Sequence, residues 1–304
     1  LTRPSYIDLY ENGRLEQASQ ELHGRLSHCT LCPHECGVDR IRGERGRCKT
    51  GILPAVSSFN AHFGEEAPLS GRNGSGTIFF TNCNLACIYC QNYDISQLGQ
   101  GQEVSFEELA SIMLRLQNRG CHNINLVSPT HVNHAIAGAL LIAVARGLRL
   151  PLVYNSGGYD AVDVLKILEG VYDIYMPDFK YMDPDAAGRL SGADDYPAVA
   201  AAAVREMHRQ VGDLKLTGSG IAVRGLLVRH LVLPQNIAAT DRIIDFIASL
   251  SRDTYFNIMD QYRPQYRAHE CFELRRRTTL AEYDEAVEYA RTRGLARIDG
   301  AAVK

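Results

Sequence analysis

The stretch "TIFFTNCNLACIYCQN", residues 77–92, runs from a short β-rich segment straight into three cysteines, Cys83, Cys87 and Cys90. An apolar core has no use for thiols at that spacing, and the next cysteine, Cys121, is out of local reach. Three thiolates can hold three irons of a cubane 4Fe-4S cluster and leave the fourth iron open, whereas an electron-transfer cluster or a structural zinc takes four protein ligands. The stretch therefore sets a strand end beside an open metal corner. The fold around it should be one that gathers chemistry at strand ends.

The remaining sequence has that rhythm. Short β-rich runs at 77–82, 123–128, 151–156, 172–177, 225–233 and 255–260 alternate with helical patterns, as repeated βα units do around a parallel sheet. In "SFEELASIMLRLQNRG", Ser105 and Glu108 make a capping box, Leu109, Ile112, Met113 and Leu116 keep one face apolar, and Gly120 closes the helix. Later crossover helices are expected at 134–147, 161–170, 199–212 and 240–250. A last helix, from Leu280 to about Arg293, starts with a second box from Thr279 and Glu282. Six such units are too few to close an eight-stranded barrel, so the expected fold is α/β, a partial (βα)6 TIM-like barrel with functional residues at the C-terminal ends of its strands. Residues 1–75 break the rhythm and are read as an N-terminal cysteine-rich metal module wrapped on the barrel. Residues 76–275 are the barrel itself, and 276–304 a C-terminal helix packed against it.

The chain has 304 residues, 45% hydrophobic and 22% charged, enough for a sizeable core. A formal net charge of −3 speaks against nucleic acid as a partner, because phosphate-tracking proteins carry a basic excess. No window approaches the ~18 consecutive apolar residues of a membrane span, and "LTRPSYIDLYENGRLEQ" lacks the apolar run of a secretion signal. The expected compartment is cytoplasmic, with no membrane partner. Nine cysteines fall into a group of four, a group of three and two singles, a distribution that reads as metal ligands before disulfides in a reducing compartment.

With Tyr89 ahead of its last cysteine, the Cys83-x3-Cys87-x2-Cys90 loop resembles the radical SAM superfamily. Members of that superfamily hold a 4Fe-4S cluster in a C-x3-C-x-Φ-C loop and bind the amino and carboxylate groups of S-adenosyl-L-methionine at the unique iron. The segments "LPLVYNSGGYD", "YMPDFKYMD" and "RGLLVRHLVLP" are closest to the branch of pyruvate formate-lyase activating enzyme-related proteins. The resemblance implies a partial barrel of the radical SAM type and an activating-enzyme-like oxidoreductase or lyase. One electron cleaves S-adenosylmethionine to methionine and a 5'-deoxyadenosyl radical, which takes a hydrogen atom from a substrate. It also implies a low-potential electron donor, such as flavodoxin or ferredoxin, and a protein, peptide or small-molecule substrate. Glycyl radical activation, peptide maturation and a non-catalytic iron–sulfur carrier role are the readings left open. No R-V-x-G-Y loop stands in this chain, so it would generate a glycyl radical elsewhere and not carry one.

The resemblance also assigns candidate cofactor ligands. Tyr89 takes the position beside the adenine. Where the family carries Gly-Gly-Glu, this chain reads "VSPTHVNH" (127–134), so Ser128 and Thr130 become candidates for the ammonium, with His131 and His134 able to face the cleft and helix capping as the plain alternative. Asn155 and Ser156 match a segment that places the methionine moiety. Asp178 and Lys180, two residues apart on one side of an extended chain, match a "D-x-K" signature, with a mutual surface ion pair as the alternative. Arg229 or His230 points inward, depending on register. Gln261 and Arg263 reach the rim near the ribose.

Cys29, Cys32, Cys36 and Cys48 stand in a C-x2-C-x3-C-x11-C pattern that completes a coordination shell. A zinc or a second iron–sulfur cluster fits it equally, with His34 as a substitute ligand. Cys121 and Cys271, each alone, are read as unreactive thiols. The basic run "ELRRRTT" (273–279) is read as solvating the entry to the last helix.

Overall fold

The computed structural model describes residues 3–299. Six parallel strands make its middle: Ser75–Phe80, Ile124–Val127, Leu152–Asn155, Ile174–Tyr175, Ala222–Leu231 and Tyr255–Met259, paired in that order. These are the six strands the alternation pointed to, displaced by a few residues at their ends. Antiparallel Ala55–His62, followed by Gln102–Glu103, flanks one side, and Ile298–Asp299 adds in parallel at the other. The two flanks are not paired with each other, so the barrel is open, as six units require.

The period of two along each strand sorts side chains to two sides. Ile78, Leu126, Tyr154, Val228 and Phe256 join the outer core beneath the helices. Val153, Ile174, Met176 and Leu227 point into the barrel, where Leu69 joins them to form an apolar floor. Above that floor the inward positions turn polar, with Asn155, Asp178 and Arg229 nearer the C-terminal strand ends.

Both capping boxes form: Ser105 with Glu108 ahead of Phe106–Asn118, and Thr279 with Glu282 ahead of Leu280–Thr292. Arg276 adds a 2.7 Å ion pair to Glu282, so part of the basic run is spent on fixing this helix entry. The Asn133–Ala145 helix is apolar on nearly every side because it lies against Phe106–Asn118 and Arg14–Gly24 as well as over the sheet. Close approach is required there: a Cβ on Gly138 would stand 2.8 Å from the Phe106 ring.

The longest elements in the first 75 residues without a counterpart in the sequence reading are the helices Ser5–Glu11 and Arg14–Gly24 and the strand Ala55–His62; the short turns of helix Arg25–His28 and Ala67–Ser70 are two more. Leu15 and Leu22 are fully buried, and replacing such a leucine by alanine costs about 2–5 kcal/mol. The Tyr6 hydroxyl donates to the Leu150 carbonyl at 2.8 Å, and the Ser5 amide donates to Asp173 at 2.9 Å, tying this segment to the entry ends of two strands. The polar faces of the two helices, and the Gly, Arg and Cys richness of the chain between Gly24 and Ala55, concealed these elements. The segment assigned to the C-terminal helix runs past the described residues at 300–304. Among the described residues no helix is long and apolar enough to cross a membrane.

Histidines 131 and 134 do not face the cleft. Both are buried. His131 Nε2 lies 3.0 Å from the Thr81 carbonyl and His134 Nε2 lies 2.7 Å from the Ile52 carbonyl. Burial, with Arg40 nearby, pulls His134 down to about 3 and His131 to about 4. The folded protein thus keeps them neutral while an unfolded chain takes up protons near pH ~6.5. Their contribution to stability is whole above that pH and falls away as the pH drops towards the folded values. His134→Gln keeps an amide donor for Ile52 and removes one titration. The stability difference between wild type and this variant in urea unfolding is expected to narrow from pH 7 to pH 4.5; a constant difference would mean that His134 is protonated in the folded state.

Candidate metal and cofactor site

The three-cysteine loop leaves the first strand at the C-terminal rim. Cys87 is buried, and Cys83 and Cys90 are half-buried. Each sulfur already has a polar neighbour: the Leu85 amide donates to Cys83 Sγ at 3.4 Å, the Ser191 hydroxyl to Cys87 Sγ at 2.9 Å, and Ser96 Oγ lies 3.1 Å from Cys90 Sγ. Burial, with Cys87 and Cys90 alongside, pushes the Cys83 thiol up to about 12 against the pull of Lys180. Without metal the Cys83 thiol is therefore protonated, and a metal has to displace that proton. Ser191 ends the Pro184–Ser191 helix, capped by Asp183, which the sequence reading did not include.

A hydroxyl chain backs this loop. Tyr181 OH lies 2.8 Å from Ser191 Oγ and 2.6 Å from Tyr89 OH. Ser191 donates to Cys87, and behind it Tyr181 donates to Tyr89, so hydroxyls line the side of the loop away from the mouth. The Tyr89 ring packs edge-on against Tyr181 and Tyr262, at centroid distances of 6.3 and 6.0 Å. Gln261 and Arg263 line a rim cavity of about 480 Å³ that Gln91, just past Cys90, also borders. Gln261 thus sits by the cluster loop, its side chain directed to Met259 Sδ at 3.2 Å.

The fourth and fifth strands supply the charges. Asp178 accepts from Lys180 Nζ at 2.7 Å and from Arg229 Nε at 2.9 Å, and Arg229 Nη2 continues to Asn155 Oδ1 at 2.7 Å. Burial alone would raise the Asp178 carboxyl; Arg229 and Lys180 overcome it and hold it down at about 2. Burial would likewise lower the Lys180 ammonium, but Asp178 and Cys87 keep it well above its ordinary value. Asp178 and Lys180 do pair, yet inside the barrel mouth and not on the surface. Arg229, the inward alternative, is settled by pairing opposite Asn257, while His230 turns outward to the Phe179 carbonyl and Thr240.

Thr130 and Ser156 are brought together, but around a carboxylate and not an open cleft. Their hydroxyls donate to Asp160 at 2.6 Å each, and Tyr154 OH joins at 2.7 Å. Gly158 makes that turn possible. Its φ is +79°, and a Cβ there would lie 2.2 Å from the Asp178 carbonyl oxygen. Ser128 holds φ +58°, a left-handed conformation unusual for serine, at the position where the resemblance expected a different motif. Its amide donates to the Asn155 carbonyl at 2.8 Å.

Two acids that the sequence reading passed over enter the barrel from the segment before Ala67–Ser70. Glu65 Oε2 stands 3.4 Å from Arg229 Nη1, and Glu66 Oε1 accepts from Asn257 Nδ2 at 2.7 Å. The signal available was the pair itself in "GEEAP", which fits neither a helix face nor a strand alternation.

Among the four N-terminal cysteines, Cys29, Cys32 and Cys48 are buried and Cys36 is exposed. Burial, then Cys48, Cys29 and Cys36 in turn, pushes Cys32 up to about 12, so the four thiols lie within electrostatic reach of each other. His34 is engaged elsewhere: its Nε2 lies 2.7 Å from the carbonyl of Asn84, the neighbour of Cys83. A cavity of about 130 Å³ bordered by Cys48, Lys49, Asn82, Cys83 and Gln97 separates this group from the first. Of the single cysteines, Cys121 is buried, and Cys271 Sγ donates to Glu273 at 3.0 Å. Among the described residues no three donor side chains converge on one ion-sized point. The donor chemistry of the 83–90 loop still fits an iron–sulfur cluster: three soft sulfurs free of hard carboxylates, with hydroxyl and amide donors at hand and a lysine cation nearby.

Comparison with known proteins agrees with this fit. The family described as the Radical SAM superfamily matches residues 77–247. An uncharacterized protein of Methanocaldococcus jannaschii is 31% identical over 278 residues, covering 87% of this chain and 75% of its own length.

A hydrogen bond to cluster sulfur favours the reduced, more negative state. Ser191→Ala is therefore expected to lower the midpoint potential of a cluster on this loop, by on the order of 50 mV for about 1 kcal/mol of lost bonding. EPR-monitored redox titration reads it, and Ser191→Thr should restore it. An unchanged potential in the alanine variant would detach this hydroxyl from the sulfur.

Proposed function

Because the chain belongs to the radical SAM superfamily, we propose that Cys83, Cys87 and Cys90 hold three irons of a 4Fe-4S cluster, that S-adenosylmethionine occupies the fourth, and that the enzyme activates a partner protein by generating a glycyl radical on it. The observation that carries the reading is the loop itself: three cysteines gathered at the rim of an open parallel barrel, with ordered donors at their sulfurs and the Asp178–Lys180 pair beside them. A cluster bound there would supply the low-potential electron for reductive cleavage of the sulfonium, the chemistry by which a substrate hydrogen atom would be taken.

The chain's own residues do the rest. Ser191, backed by Tyr181 and Tyr89, sets the proton environment of Cys87. Lys180 offers a cation to a cofactor carboxylate, and Asp178 keeps that lysine charged and in place. Asn155, held by Arg229, would meet the methionine moiety of a bound cofactor. The buried tyrosines around the loop keep water and stray hydrogen donors from the reacting centre. Ser128, Thr130 and Ser156 shape this wall, the last two through Asp160. A flavodoxin- or ferredoxin-type donor would reduce the cluster.

The four-cysteine group is proposed as a second metal centre, either a structural zinc or an auxiliary iron–sulfur cluster. Metal counts decide between them: about eight irons per chain for two cubanes, about four irons with one zinc for the structural site. Cys32→Ser should remove one zinc or about four irons while the 83–90 cluster signal persists.

Anaerobically reconstituted protein with dithionite and S-adenosylmethionine is expected to yield 5'-deoxyadenosine, and Cys87→Ala to yield none. No product from the wild type would leave a non-catalytic carrier. A glycine-centred EPR doublet on a co-incubated partner supports activation; a closed-shell mass change in a peptide would make the enzyme a maturase instead.

A further inference from the structure

We propose that the barrel interior beneath Asp178 and Lys180 binds a cationic nitrogen, the ammonium of a basic side chain on the substrate, at Glu66 and Asn125. That the guest is the substrate rests on the function proposed above; the binding site stands on its own geometry.

The segment before Ala67–Ser70 closes the floor of the barrel with Leu69 and sends Glu65 and Glu66 into its interior. Between them they reach opposite sides: Glu65 meets Arg229 and accepts from Asn125, and Glu66 accepts from Asn257. Two acceptors remain unanswered. Glu66 Oε2 and Asn125 Oδ1 are buried and have no hydrogen-bond partner. Glu66 is 7% exposed and Asn125 0%, so a lone pair left there costs far more than one at the surface.

The two cations of the barrel mouth are already engaged. Arg229 is committed to Asp178, Asn155 and Glu65, and Lys180 to Asp178. Glu65, Glu66 and Asp178 outnumber the two cations that face them, which disfavours an anionic guest. Acceptor-only sites demand a donor, and a carboxylate in a secluded site favours one that carries charge. The side chains of Asp178, Lys180 and Arg229 keep 22%, 19% and 17% of their surface accessible, so the layer above the two acceptors is open to the rim. A straight alkylammonium is the slimmest charged donor a protein side chain offers and carries three N–H donors.

Calorimetry on the anaerobic holoenzyme, without reductant, tests the site independently of turnover. The probes are N-acetyl-lysine methylamide and its neutral counterpart N-acetyl-norleucine methylamide. The lysine probe is expected to bind at least about tenfold more tightly than the norleucine probe. Glu66→Gln should erase that preference, and Glu66→Asp, which keeps the charge on a shorter arm, should retain part of it. Because Glu66→Gln keeps an oxygen for Asn257 and turns the unanswered carboxylate oxygen into a neutral amide group, its melting temperature without probe should equal or exceed that of the wild type. Equal binding of the two probes, a preference surviving in Glu66→Gln, displacement by potassium chloride at the probe's own concentration, or a lowered melting temperature in Glu66→Gln would each overturn the assignment. Formation of 5'-deoxyadenosine enters none of these readings, so a failed cation site and a failed radical chemistry are told apart.

Discussion

Charge inside a parallel barrel is tolerable only where each charge is answered within hydrogen-bond reach. Asp178 answers two at once, Lys180 on its own strand end and Arg229 on the next strand. Once Arg229 faces inward, its remaining N–H groups reach Asn155 of the third strand and Glu65 of the floor segment. Three other parts of the chain thus converge on one guanidinium. Removing one partner of such a buried pair typically costs about 3–5 kcal/mol, because it strands the other charge. The barrel mouth is held in one arrangement before any cofactor arrives, which is what a site must provide if its groups are to act without reorganising.

That dependence explains which parts of the molecule could be read in advance. Strands and helices carry their own periods, and the two capping boxes are local, so their positions follow from a few neighbouring residues. The cysteine loop is likewise written in one short stretch. Arg229 was visible only as one of two choices, because a one-residue shift would have exchanged it with His230 and nothing within that strand fixes the shift. The partner that does, Asp178, stands 51 residues earlier.

Thr130 and Ser156 were legible as polar residues at strand ends, but their common carboxylate, Asp160, arrives through a turn that needs Gly158 at positive φ. Glu65 and Glu66 left no trace beyond an acid pair that fits neither a helix nor a strand period. They belong to a segment without period whose meaning comes entirely from the barrel it plugs, and Ser191 matters only because a short helix ends against Cys87.

The N-terminal cysteines bear on the same mouth through contacts that carry no electrons. Arg40 is fully buried, with its guanidinium on the carbonyls of Gly51 and His131 and 3.9 Å from Cys29 Sγ. His34 meets the Asn84 carbonyl beside Cys83, and Arg47 Nη2 donates at 2.8 Å to the carbonyl of Gly192, next to the serine that donates to Cys87. A short loop gathered by four thiols has little apolar core of its own, so metal binding there would supply ordering energy that these contacts pass on. A metal in the four-cysteine group, zinc or iron–sulfur alike, would through these contacts help fix the loop that carries Cys83 and Cys87.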